Sequence, residues 1–283
     1  MAALLPMIIL AVVQGITEFL PISSSGHLVL AWEVFAQADM PLPSANAAER
    51  LALDAAVHLG SLGAAISYFW RDVGQLAGGA LRLLTGRMTA NGRLFLQIVA
   101  ASIPLVVAGF LVKDALGVSW RSVEVVAWAS IGFGVLLWIA DRSTMTINKV
   151  EKTTWEQALI IGLAQILALI PGASRSGITM TAARALGFER SDAARFSMLL
   201  AIPAILGASA LFGYDLYNSG NLALQIDAIV AAALAFVSAL IAITIMMAWL
   251  RRATFTPFVI YRILLGGLLL YLIYVEGVAL SLQ

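Results

Sequence analysis

Gln14, Glu18, Ser23, Ser24, Ser25, Gly26 and His27 set an amide, a carboxylate, three hydroxyls and an imidazole into a stretch whose flanks are almost wholly apolar. A carboxylate inside an apolar helix is expensive unless it is paired or faces a wet cavity, which marks Glu18 as functional. Gln14 and Glu18 stand at i and i+4, so a helix would put them on one face. Glu18 could orient or deprotonate a neighbour, or, with Gln14 nearby, hold a hard divalent cation such as Mg2+ or Ca2+. Ser24 and His27 are close to one helical turn apart, which suits a serine nucleophile attacking phosphorus with an imidazole as base or acid. The competing arrangement makes His27 the nucleophile and leaves Ser24 a cap or phosphate donor. Ser23 and Ser25 are further donors or caps, and Gly26 lets a ligand approach the backbone.

A second stretch, Pro171 to Thr179, answers the first. Arg175 is a natural phosphate clamp, since its planar fork gives two hydrogen bonds and stays charged. Its purely structural alternative is an ion pair with Glu18 that joins two parts of the chain. Ser174 and Ser176 flank it as donors or caps, and Gly172 and Gly177 serve the backbone around the anion. His58 is balanced between packing and a place on the cavity wall.

These residues need elements that stop inside a membrane. Pro21 lacks the N–H that would continue the first helix, and the serines after it favour a new helix start. A free helix N-terminus with unpaired N–H groups is an anion site. Residues 2–20 and 27–36 read as a re-entrant helix pair, because the second is too short to span about 30 Å of hydrocarbon. Residues 154–170 and 177–187 repeat the plan. Spanning candidates lie at about 52–70, 94–112, 123–140, 193–213, 225–249 and 257–278, with an interfacial helix expected between Arg71 and Arg93. Pro41, Pro43, Asn46 and Glu49 mark an exposed loop. Asp54 and Asp192, each followed by two alanines, read as equivalent helix N-caps.

The expected fold is therefore an all-α polytopic membrane protein, one integral membrane domain over 1–283. Repeat one covers about 1–141 and repeat two about 154–280, each a re-entrant pair plus three crossings. Three crossings per copy invert the second copy, so the six spans form inverted-topology repeats whose broken helices meet near the midplane. Composition agrees: 61% of 283 residues are hydrophobic and 12% charged, against roughly half and a quarter in soluble domains. A net charge of +1 gives no reason to expect nucleic acid, and the absence of cysteine excludes disulfides and thiolate metal sites. The N-terminus lacks a basic n-region, so the first helix is expected to be retained. Twelve basic residues, from Arg71 to Arg252, fall on one side and Arg50, Lys113 and Arg121 on the other. That asymmetry puts the first side in the cytoplasm and the first re-entrant loop outside.

The run from Gln14 through Phe19-Leu-Pro-Ile-Ser-Ser to His27 and the run Pro171-Gly-Ala-Ser-Arg-Ser-Gly177 resemble the motifs of the undecaprenyl-diphosphate phosphatase family, also called the bacitracin-resistance phosphatases. The likeness runs nearly end to end and includes Phe255 to Arg262. Gln14 departs from members that carry Glu there, which leaves one charge fewer for a metal. The resemblance implies hydrolysis of undecaprenyl diphosphate to the monophosphate and inorganic phosphate in the bacterial cytoplasmic (inner) membrane, with the site opening to the periplasmic side. It also implies a divalent cation and a lipid substrate drawn from the bilayer; a homodimer stays open. Arg262, roughly 15 Å inside its helix from Arg251 and Arg252, is then expected near the cavity as a phosphate contact or a support behind it. The runner-up is a secondary transporter or lipid flippase with a midplane anion site. A carrier, however, gains nothing obvious from a serine and a histidine one turn apart. An acid-phosphatase-like lipid phosphatase is weakened because no His and Asp follow Ser174-Arg175 at that group's usual spacing.

Overall fold

Helix α1 (Leu4–Thr17) makes its last backbone bond from Glu18 N to Gln14 O, 2.9 Å, and the chain then turns through Pro21. The structure, a computed structural model, describes residues 4–38, 47–112, 122–143, 148–218 and 221–276. Glu18 thus lies on the turn just past the helix rather than within it. Ser23, at φ 75°, caps α2 (Ser24–Gln37) by accepting a bond from Gly26 N, so α2 begins three residues before the expected 27. Fourteen residues reach only about 21 Å at the helical rise, so neither α1 nor α2 can cross the hydrocarbon.

The chain continues as α3 (Ala47–Tyr68), α4 (Trp70–Leu84), α5 (Ala90–Val112) and α6 (Val123–Ser143). A 3-10 turn at Val150–Lys152 leads to α7 (Trp155–Ala164), which tightens into a second 3-10 turn at Gln165–Leu169. After Pro171 the chain restarts as α8 (Arg175–Ala185), then α9 (Arg190–Asn218), α10 (Leu222–Leu250) and α11 (Thr256–Tyr274). Five helices are long and apolar enough to cross a membrane among the described residues: Glu49–Tyr68, Ala90–Val112, Val123–Arg142, Leu222–Leu250 and Thr256–Tyr274. The chain is a multi-pass membrane protein. α9 occupies the sixth expected position with 29 residues, and its first turns carry Arg190, Asp192 and Arg195.

α10 packs most extensively on α3 and α1, α11 on α6, and α8 on both α6 and α9. Two glycines permit the first of these. A Cβ on Gly60 would lie 2.0 Å from Ala232 O, and one on Gly15 would lie 2.6 Å from Ala235 O. Only bare backbone fits between α10 and its neighbours there. Phe19 is wholly buried in the main apolar cluster with Leu62, Ala65, Ile243 and Met246, which anchors the first turn from behind.

Asp54 and Asp192 are not helix caps. Asp54 sits inside α3, where its carboxylate accepts from Trp32 Nε1 at 3.4 Å. Asp192 lies within the first turn of α9 and accepts from Val150 N at 3.1 Å, tying the preceding connection to the helix. The interfacial helix expected after residue 70 is α4, with Trp70, Leu81 and Leu84 exposed. The expected outer-loop residues Pro41, Pro43, Asn46, Lys113 and Arg121 lie outside the described residues.

Candidate active site

The two broken turns are built alike. Ser23 and Ser174 both take a left-handed φ, 75° and 72°, and each caps the next helix by accepting from the glycine three residues on. Such backbone costs about 1–3 kcal/mol in a residue with a Cβ and persists where its surroundings fix it. Each capping hydroxyl also bonds the serine two residues later: Ser23 to Ser25 at 3.3 Å and Ser174 to Ser176 at 3.1 Å. Between the two serines of each turn stands the residue that points to the centre, Ser24 in one and Arg175 in the other.

Both point at Glu18. Ser24 Oγ donates to Glu18 Oε2 at 2.7 Å, and Arg175 Nη2 donates to Oε1 at 3.1 Å. Gln14 Nε2 donates to Oε2 at 2.8 Å from the last turn of α1, and His58 Nε2 on α3 stands 3.6 Å from the same oxygen. Glu18 has 6% of its surface exposed, while Ser24, His58 and Arg175 keep partial access. A serine hydroxyl aimed at a carboxylate that a guanidinium and an amide hold in place has the geometry that a nucleophile, its base and the orienters of that base require. The same Arg175 is positioned to stabilise charge on phosphate oxygens.

Ser24 and His27 do not bond each other. His27 Nδ1 lies 2.6 Å from Ser23 O and Nε2 lies 2.5 Å from the Tyr261 hydroxyl. Ser24 has turned to Glu18 because the turn carries that carboxylate back beside the start of α2. His27, one turn along, meets α11 instead. The expected dyad is thus replaced by a Ser24–Glu18 pair with His27 in a separate contact.

Arg262 is not placed as a phosphate contact. It is wholly buried, and each of its nitrogens donates to backbone carbonyls: Nε to Ser130, Nη1 to Pro21, and Nη2 to Ala129, Gly172 and Ala173 at 2.9–3.3 Å. One guanidinium therefore joins both turns to α6. Other expected phosphate contacts are also committed to structure. The N–H groups of Gly26 and Gly177 serve the serine caps, and Ser176 Oγ donates to Leu20 O at 2.9 Å across the two turns. Gly172 takes φ 87° and packs so closely that a Cβ would meet Val126 O at 2.5 Å. Ser25 remains exposed at the mouth.

Sequence reasoning passed over Tyr261 as a site residue, although a Tyr-Arg pair in an apolar helix was the available signal. It also left open the role of His58, which the fold brings to Glu18.

For a divalent cation, Glu18 supplies a carboxylate, and the Gln14 Oε1 beside it is a buried acceptor with no hydrogen-bond partner. No group of three or more His, Cys, Asp or Glu able to hold a metal occurs among the described residues. That sparse donor set fits a hard cation that takes one or two protein oxygens and completes its shell with phosphate and water.

Residues 7–268 match the family described as bacitracin resistance protein BacA. The chain is 48% identical to undecaprenyl-diphosphatase 1 of Rhodospirillum rubrum over 272 residues, covering 96% of this chain and 95% of the relative. It is 46% identical to an undecaprenyl-diphosphatase of Roseobacter denitrificans, covering 95% and 98%, and 45% identical to one of Ruegeria pomeroyi, covering 96% and 99%. With the match running through both broken turns and into α11, this chain belongs to the BacA bacitracin resistance protein family.

Proposed function

We propose that the protein is a membrane phosphatase that hydrolyses undecaprenyl diphosphate to undecaprenyl phosphate and inorganic phosphate, returning a lipid carrier to cell-wall synthesis. The observation that carries this reading is the Ser24 hydroxyl on the Glu18 carboxylate beside Arg175. Ser24 Oγ attacks the terminal phosphorus as its proton passes to Glu18, and the bond from that phosphorus to the bridging oxygen breaks to release the lipid monophosphate. Water then attacks the phosphoserine and the bond from phosphorus to Ser24 Oγ breaks as Glu18 returns its proton to that oxygen, the water's own proton passing toward the His27 imidazole. Arg175 holds the phosphate oxygens through both displacements. Glu18 and Gln14 would hold a Mg2+ or Ca2+ ion, which when bound would neutralise charge on the diphosphate.

The lipid class is supported by a cavity of about 550 Å³ below the end of α1, lined by Val12, Ile16, Leu20, Ile245, Trp249 and Phe258 among others. Its walls are apolar, as an isoprenoid tail requires. The reading includes six crossings, with α9 as the sixth, and two inverted repeats. The paired turns, with their matching caps and left-handed serines, support that symmetry. It also includes the bacterial cytoplasmic membrane and a site open to the outer side, on the Lys and Arg asymmetry. The test is phosphate release from undecaprenyl diphosphate by purified protein in detergent, with and without a chelator. Release that a chelator abolishes and Mg2+ or Ca2+ restores is expected. No release with any divalent ion would favour a carrier.

A further inference from the structure

Tyr261 reaches the site from α11, beside Arg262, and it belongs to none of the roles above. Its hydroxyl lies 2.5 Å from His27 Nε2, and the two rings are nearly parallel, 11° apart with centroids 5.6 Å from each other. The partner of the other ring nitrogen decides what this contact is. His27 Nδ1 faces the Ser23 carbonyl oxygen at 2.6 Å, and a carbonyl can only accept. Nδ1 therefore carries the proton in the neutral ring, Nε2 carries the lone pair, and the Tyr261 hydroxyl is the donor to it. Both ends of the imidazole are thereby fixed, one by the residue that caps α2 and the other by α11.

We propose that Tyr261 relays the proton of the hydrolytic water: its hydroxyl oxygen takes that proton as it passes its own to the single lone pair of His27 Nε2, which the Nδ1 bond to Ser23 holds in place. The proposal rests on the phosphatase reading for its chemistry and on the His27 contacts for its geometry. Without the hydroxyl, the lone pair of Nε2 has no donor to pass the proton to it. Tyr261 has 41% of its surface exposed, and its bond to His27 lies at the exposed side of the ring pair. Its neighbour in sequence, Arg262, is fully buried and fastens both turns, so α11 sets the turns and serves the histidine with consecutive residues. Nothing in the contacts of Tyr261 reaches Glu18, Ser24 or Arg175, which separates its role from binding the phosphate.

Tyr261→Phe keeps the ring and its packing and removes only the donor. The expected result is a turnover roughly tenfold lower with KM for undecaprenyl diphosphate unchanged, the scale of one lost hydrogen bond. A second readout does not depend on catalysis. The chain has two histidines, so NMR of isotopically labelled ring nitrogens gives two sets of signals, which His58→Gln assigns. In the wild type, His27 should carry its proton on Nδ1. In Tyr261→Phe its Nε2 signal should move toward that of a lone pair without a donor, while the His58 signals stay in place. Wild-type turnover in Tyr261→Phe, or a His27 signal that does not move, would overturn the proposal. A wild-type protein that releases no phosphate would overturn the phosphatase reading and the catalytic part of this one, even where the NMR shift confirms the hydrogen bond.

Discussion

Arg175 and Glu18 form an ion pair whose side chains are 14% and 5% exposed, and the other terminal nitrogen of the guanidinium makes only a long bond, 3.5 Å, to the Ser197 carbonyl, which a phosphate oxygen can replace. Lysine keeps the charge but not the planar fork. Arg175→Lys should therefore lower turnover about a hundredfold or more, the scale of a lost transition-state donor, while the thermal unfolding midpoint in detergent stays near the wild type. Near-normal turnover would remove Arg175 from the contacts to the reacting phosphate. At this scale the sequence was readable where chemistry is costly. A carboxylate and a guanidinium in apolar surroundings need a reason, and each supplies the other's. What spacing alone could not give was direction. Ser24 and His27 are one turn apart on α2, yet the turn at 18–22 brings Glu18 closer to Ser24 than the imidazole is, and Tyr261 claims His27 from the far end of the chain. Arg262 takes one of its two expected places, the support behind the site. Its depth in α11 was legible, but the carbonyls it fastens come from turns that only the fold assembles.

Among the elements, the ends of α6, α8, α9 and α11 are gathered by one side chain. Asp141 Oδ1 accepts from Arg184 Nε at 3.0 Å and Arg190 Nε at 2.7 Å, while Oδ2 accepts from Phe255 N at 3.1 Å at the start of α11. Asp141 and Arg184 are 4% and 1% exposed. Asp141→Ala would leave Arg184 buried without its carboxylate and should destabilise the fold by about 3–5 kcal/mol, read as a lower unfolding midpoint in detergent. An unchanged midpoint would make the cluster incidental. The proline breaks and the short return helices were legible because both ends of each break carry their own signals, Pro21 with Ser23 and Pro171 with Ser174. Asp54 and Asp192 misled because an aspartate before two alanines resembles a cap, whereas here the helices begin earlier and the carboxylates bond neighbouring elements.

For the whole molecule, basic residues gather on the side that includes the turn between α4 and α5, and that turn is expected in the cytoplasm. Met88 is 64% exposed there, and the chain has no cysteine of its own. A Met88→Cys variant in intact cells should resist an impermeant thiol reagent and react once the membrane is opened. Labelling of intact cells would reverse the orientation. Five crossings were legible from length and composition, because a run of about twenty apolar residues has few other uses. In the proposed mechanism the two turns assemble one reactive unit in which Glu18 serves Ser24. The most direct measurement of that unit is turnover of undecaprenyl diphosphate by Ser24→Ala, Glu18→Gln and the double variant, in one detergent and after folding is verified by thermal unfolding. Each single variant should lose about a hundredfold or more, and the double should be scarcely worse than either, because groups that act as a unit are far from additive. Losses that multiply in the double variant, or a Ser24→Ala protein that keeps most of its rate, would contradict the account.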